Sequence, residues 1–140
     1  MRLLITTPTA VAVDRQNVTS VRAEDASGGF GILGGHADFL TALTICVIAW
    51  QESDSVRRFC AVRYGVFAVR GGQEVAIATR EALVGDDLEQ LERVVLTAFR
   101  QAAEAEAISR TESLQMQMAA VRQIVRYLRP NRNAMFGGRP

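Results

Sequence analysis

The chain has 140 residues, 49% of them hydrophobic and 22% charged, which is enough for one ordinary domain, or for a small domain plus an appendage, and too apolar for disorder. Sixteen basic side chains against fifteen acidic ones leave a formal charge of +1, with no electrostatic footprint for nucleic acid or an anionic membrane surface. Every basic residue is Arg, and without Lys a phosphate-binding P-loop or a Schiff-base mechanism is excluded.

Arg2 to Thr7 is apolar and β-branched and stops at Pro8, which predicts an opening strand on a sheet edge. Its threonines, Pro8 and Asp14 interrupt any signal-peptide core, so it reads as a strand of the mature protein. Ala10 to Val13 is a second short strand, and Asp14 to Asn17 a turn. Val18 to Ala23 alternates Val18, Ser20 and Arg22 with Thr19, Val21 and Ala23, the pattern of a half-buried strand. Glu24 to Gly29 is a turn that leads into Gly28 to Leu43, GGFGILGGHADFLTAL, with five glycines in its first eight residues. Such density calls for backbone conformations closed to other residues, or for close approach of another chain. Phe30, Ile32 and Leu33 give the segment something to bury, which a Gly/Ser linker lacks. On composition alone it is an elaborate turn between two strands.

Thr44 to Trp50 is strongly β-prone, and Gln51 to Ser55 an exposed hairpin loop. The apolar run Ala42 to Trp50 falls far short of the ~20 residues that span a bilayer. Arg57 to Val62 and Tyr64 to Val69 read as two further strands, Gly71-Gly72 as a two-residue turn, and Val75 to Thr79 and Ala82 to Val84 as the last strands. Cys46 and Cys60 lie in strand contexts, where a free thiol behaves as a small core hydrophobe. This usage fits a cytosolic chain. Short strands at this spacing predict an antiparallel sandwich or barrel.

At Gly85 the hydrophobic period changes from two to about 3.6. Asp86-Asp87-Leu88-Glu89 supplies a capping box, and Leu88, Leu91, Val95, Ala98 and Ala102 recur three and four apart, with Val94 and Phe99 widening the stripe. A second stripe, Leu114, Met118, Val121, Val125 and Leu128, is out of phase with the first, and Ser109 to Glu112 offers another capping box between them. Two helices joined near Ile108 account for both facts, with Arg129-Pro130 ending the second. The predicted fold class is therefore α+β, an N-terminal antiparallel β-sandwich (residues 1–85) followed by a C-terminal two-helix hairpin (86–130) and a disordered tail (131–140).

Catalytic chemistry is not evident. His36 is the only histidine, no nucleophile elbow surrounds any serine, and Gly28 to Gly35 lacks the GxGxxG spacing of a dinucleotide fold. Glu24, Asp25, Asp86 and Asp87 fall at a turn and a helix start, where capping explains them. No cofactor is called for.

The run Gly31-Ile32-Leu33, Gly35-His36-Ala37, Leu40-Thr41 and Leu43 resembles the most recognisable segment of the epsilon subunits of F-type ATP synthases (delta in mitochondria). Gly34 and Asp38 stand where the family usually has prolines, and Gly29 where many members carry an acid, departures that fit a divergent branch such as the alternate bacterial class. Ile5 to Pro8, Val18 to Ala23, Gly65 to Val69 and Val75 to Ala78 extend the likeness from about Arg2 to Gly85. The resemblance implies a non-catalytic central-stalk subunit, a part of the rotor, at the cytoplasmic face of the bacterial inner membrane. It would bind the gamma subunit and the c-ring and couple rotation to translocation of H⁺ or Na⁺. Its C-terminal hairpin would reach the alpha/beta catalytic head and inhibit hydrolysis. Gly29, Phe30, Gly31, Gly35, His36 and Asp38 are the implied contact residues. Ala98 to Ala102 keeps the Arg and Ala of the family's ATP-binding pattern and lacks its acid, so ATP binding is not expected. The competing reading is a β-sandwich adaptor with a helical self-association arm.

Overall fold

The computed structural model describes the backbone of residues 1–137 and the side chains of residues 1–126. Its strands are β1 (Arg2–Thr6), β2 (Val11–Arg15), β3 (Val18–Asp25), β4 (Gly28–Leu33), β5 (Phe39–Glu52), β6 (Arg57–Arg70), β7 (Glu74–Ala78) and β8 (Ala82–Gly85). A short α1 (Leu88–Gln90), a π-helical turn (Leu91–Val95) and α2 (Leu96–Gly137) follow. Two units divide the chain: Met1–Arg100 holds the strands and the start of the helical segment, and Gln101–Pro140 the remainder.

The strands pair in the order β2-β1-β7-β6-β5-β3-β4, with β8 also on β6. All pairings are antiparallel except β1 with β7, which run parallel. The opening strand is therefore not at an edge: β1 lies between β2 and β7, and Pro8 falls beyond its last residue, where its missing N–H disturbs no ladder. The two strands expected over 57–69 are one. The first half of β6 pairs with β8 (Phe59 to Val62) and its second half with β7 (Val66 to Arg70).

The change of partner requires a bend, and it falls at Tyr64 and Gly65, with φ of 57° and 135°. A Cβ on Gly65 would stand 2.9 Å from the Thr79 Cα and closer still to the Ala78 carbonyl oxygen. The buried Thr79 hydroxyl lies 2.6 Å from the Tyr64 carbonyl oxygen and 3.2 Å from that of Arg63, to which it can donate. Beside it Arg63 Nε stands 3.3 Å from Glu81 Oε2. The bend is thus clamped to the end of β7.

Between the two layers lies the main core, with Leu3 and Ile5, Val21 and Ala23, Ile48 and Trp50, Phe67 and Val69, and Val75 and Ile77 alternating inward along their strands. In β3 the inward set is Val18, Val21 and Ala23, because an irregularity between Val18 and Ser20 changes the face on which Val18 points. Cys46 and Cys60 are buried free thiols, and burial pushes them up to about 11 and about 12. Such thiols are inert. A second, smaller cluster joins Phe59 and Ala61 on the outer face of β6 to Leu91 and Leu96 of the helical segment.

Asp87 rather than Asp86 is the N-cap, its Oδ1 accepting from the backbone N–H of Glu89 (3.0 Å) and Gln90 (3.3 Å). The expected break near Ile108 is absent, for α2 runs without interruption from Leu96 to Gly137. No Gly or Pro occurs between Asp86 and Arg129. Thr111 of the supposed capping box donates instead to the Ala107 carbonyl at 2.9 Å, satisfying its hydroxyl inside the helix. Pro130 and residues 131–137 of the expected tail fall within the bounds of α2, and residues 138–140 lie outside the described residues.

The bend sets a test. Replacing Gly65 with Ala should cost about 3 kcal/mol or more, since a left-handed backbone and a blocked approach to β7 act together. Urea denaturation of G65A against the wild-type chain would read this as a lowered midpoint at unchanged slope.

Candidate partner-binding surface

The glycine-rich segment is not one turn but an edge strand followed by a turn. Gly28–Leu33 is β4, paired with β3 from Ser20↔Leu33 to Asp25↔Gly28. Gly29 and Gly31 are exposed opposite Glu24 and Arg22. Phe30 points inward, its ring 5.0 Å from Phe67 and 5.5 Å from Phe39, both edge-on. Its aromatic face belongs to the core.

Residues 34–38 close one end of the sandwich against the β6–β7 turn. Gly35 N–H donates to the Gly72 carbonyl at 2.9 Å, and the Gly71 N–H donates to Asp38 Oδ1 at 2.8 Å. Gly72 comes so near that a Cβ on it would stand 2.9 Å from the Gly35 Cα. Two glycine pairs thus meet backbone to backbone, and Asp38 caps the neighbouring turn. His36 is half-buried, with its ring 5.9 Å from Phe39 and its Nδ1 2.7 Å from the Ala37 carbonyl oxygen, to which it donates. Gly35, His36 and Asp38 therefore stand together, while Gly29, Phe30 and Gly31 lie along β4.

Asp25 ties the same region together. Its carboxylate accepts from Ser27 and, at 2.8 Å, from the Thr41 hydroxyl of β5. Hydrogen bonds from Ser27 and then from Thr41 hold its carboxyl below the usual range.

Beside this end lies a surface that residue patterns did not reveal. Across β5, β6, β7 and β1 the outward positions form two rows, Leu40–Ala68–Ala76–Leu4 and Ala42–Val66–Ala78–Thr6. Every side chain in these rows is apolar except Thr6, and Leu40 and Val66 are 72% and 47% exposed. A shallow depression of about 420 Å³ lined by Asp38, Leu40, Ala68 and Arg70 connects the rows to the loop. An outward sheet face in water is normally polar, so small apolar residues on both faces of these strands signal a covered surface. That signal is present in GVFAV and VAIA, where inward and outward positions are apolar alike.

Comparison with known proteins agrees with this architecture. Residues 1–85 match the family described as ATP synthase, Delta/Epsilon chain, beta-sandwich domain. An ATP synthase epsilon chain 2 of Paraburkholderia xenovorans is 47% identical over 132 residues, 94% of this chain and 95% of that one. One from Cereibacter sphaeroides, of the same name, is 38% identical over 128 residues, 91% of this chain and 88% of that one. Among solved structures, a chain of the Euglena gracilis mitochondrial ATP synthase (OSCP/F1/c-ring) superposes with a TM-score of 0.57 at 20% identity, over 69% of this chain and 61% of that one. A chain of the Tetrahymena thermophila mitochondrial ATP synthase central stalk and c-ring gives a TM-score of 0.51 at 14% identity, over 59% of this chain and 65% of that one. At those identities the likeness is one of fold. The chain belongs to the delta/epsilon family of ATP synthase subunits, as an epsilon subunit of the F-type complex. It is a non-catalytic subunit of that assembly. Among the described residues no helix is long and apolar enough to cross a membrane.

The Asp25 network gives a pH-dependent stability whose sign is fixed. A carboxyl depressed by folding contributes fully above its unfolded value near ~3.9, and the contribution is lost as pH falls through the folded value. Asp25→Asn should therefore lower the urea midpoint at pH 7, with the difference from wild type shrinking below about pH 4.

Proposed function

We propose that this epsilon subunit is a central-stalk rotor component that binds the gamma subunit through the exposed apolar rows of β1, β5, β6 and β7. The adjoining loop end, Gly35 to Asp38 with the edge strand Gly29 to Gly31, lies against the c-ring. The observation that carries the reading is the unpolar outer face around Leu40 and Val66, contiguous with that loop. A partner that covers a Leu side chain gains about 1.5–3 kcal/mol from it, so two or three such positions anchor an interface. The subunit works at the cytoplasmic face of the bacterial inner membrane, coupling rotation to ion translocation without chemistry of its own. The numeral in the names of both full-length relatives supports placement in a second class of such complexes.

The helical segment supports a regulatory role toward the alpha/beta head. Leu114, Met118, Val121 and Val125 are exposed along α2, and beyond Glu112 the chain carries Arg but no acidic residue. An apolar stripe with a basic rim fits a groove whose rim is acidic.

Two experiments test these points. The double variant L40D/V66D, with a wild-type circular dichroism spectrum, should bind purified gamma subunit at least about 100-fold more weakly by calorimetry, near 2.7 kcal/mol. Unchanged affinity would place the gamma contact elsewhere. In the reconstituted complex, ending the chain after Arg100, which keeps Leu91 and Leu96 on the sheet, should raise the rate of ATP hydrolysis. An equal rate with and without residues 101–140 would remove the inhibitory role.

A further inference from the structure

The helical segment meets the sheet through a turn of unusual winding. Over Leu91–Val95 the backbone is π-helical, and the N–H of Leu96 bonds the carbonyl of Leu91, five residues back. The extra residue per turn brings Leu91 and Leu96, 3% and 7% exposed, onto the sheet together, and leaves Val94 62% exposed. Leu91 packs on Gly85, where a Cβ would stand 3.2 Å from its side chain, and both leucines cover Phe59 and Ala61.

The same residues encode a second way of docking. Wound as an ordinary α-helix from Leu91, the apolar stripe is Leu91, Val95, Ala98 and Ala102, with Val94 at its border. Removing the π-turn rotates every later residue by about 100° about the helix axis. Leu96 and Phe99 then leave the sheet and Ala98 approaches it. Both registers keep Leu91 as the anchor and both present an apolar face. The sheet beneath is built of small and adaptable side chains, Ile45, Val47 and Ala49 beside Ala61. Room for the rearrangement exists, because a groove of about 460 Å³ runs between these residues and Leu88, Leu96 and Arg100.

We infer that the Leu91–Val95 turn is a register switch, in which the segment alternates between a π-wound state docked through Leu96 and Phe99, with Val95 beside them, and an α-wound state in which Ala98 comes onto the sheet in their place. This goes beyond the rotor reading and does not depend on it.

The full-length chain alone suffices for the test, by NMR at the amides and methyl groups of residues 88–100. In the wild type, relaxation dispersion should detect exchange with a minor state of roughly 0.1–10%, felt also at Ala49, Phe59 and Ala61. Ala98→Asp, at a position exposed in the π-wound state, should abolish the exchange and leave thermal stability unchanged. Leu96→Gln should invert the populations, with the Ala98 methyl acquiring contacts to Ala61 and the 98 amide gaining hydrogen-exchange protection. That variant decides the matter even where the minor register is too sparse to see in the wild type. Undocking of the whole 91–100 stretch in L96Q overturns the switch, as does wild-type exchange that A98D leaves intact.

Discussion

The constraint on which the fold depends is the close passage of β6 over the end of β7 at Gly65. One strand can serve two layers only if its backbone turns sharply without leaving the ladder, and a left-handed residue without a Cβ is the simplest device for this. Once Tyr64 and Gly65 make the bend, β5 must follow it through its own ladder, from Phe39↔Val69 to Gln51↔Arg57. The two long strands then carry a layer at each end, and the remaining strands add to one half or the other. Thr79 occupies the corner because the bend leaves carbonyl oxygens there that need a donor, and Arg63 beside it pairs with Glu81.

This arrangement has two surfaces with work to do. On one half the outward rows around Leu40 and Val66 are apolar and open, next to an end cap made by two glycine turns. On the other half the outward residues of β5 and β6 are covered by Leu91 and Leu96. The same pair of strands thus has an open apolar face on one half and a platform for its own helix on the outer face of the other.

Much of this was legible in the residues. Strand locations, the Gly71-Gly72 turn, the capping aspartates and the switch of period at Gly85 follow from local chemistry, and so did the likeness carried by Gly31 to Leu43. Less legible were features decided by neighbours far along the chain. Arg57 to Val69 looked like two strands divided at Arg63, and only pairing with both β7 and β8 makes it one. Phe30 and Asp38, contact residues on the resemblance, also have partners within the fold that no local pattern announced, an aromatic cluster for one and the Gly71 N–H for the other. The two out-of-phase stripes read as two helices. The helical segment instead has no break near Ile108, and its one irregularity is the π-turn at its start.

By itself the sequence determined where most strands lie and where the helical part begins, because these depend on φ preferences and hydrophobic period, and the family followed from the likeness of Gly31 to Leu43. The tertiary structure alone decided which strand lies at an edge, which face of a two-sided apolar strand stays open, and how the helix start is wound. Those outcomes depend on contacts between residues distant in sequence, such as Gly65 on Ala78, Gly72 on Gly35 and Leu91 on Ala61. A local pattern records what a segment can bury, but only the packed chain shows what it is buried against.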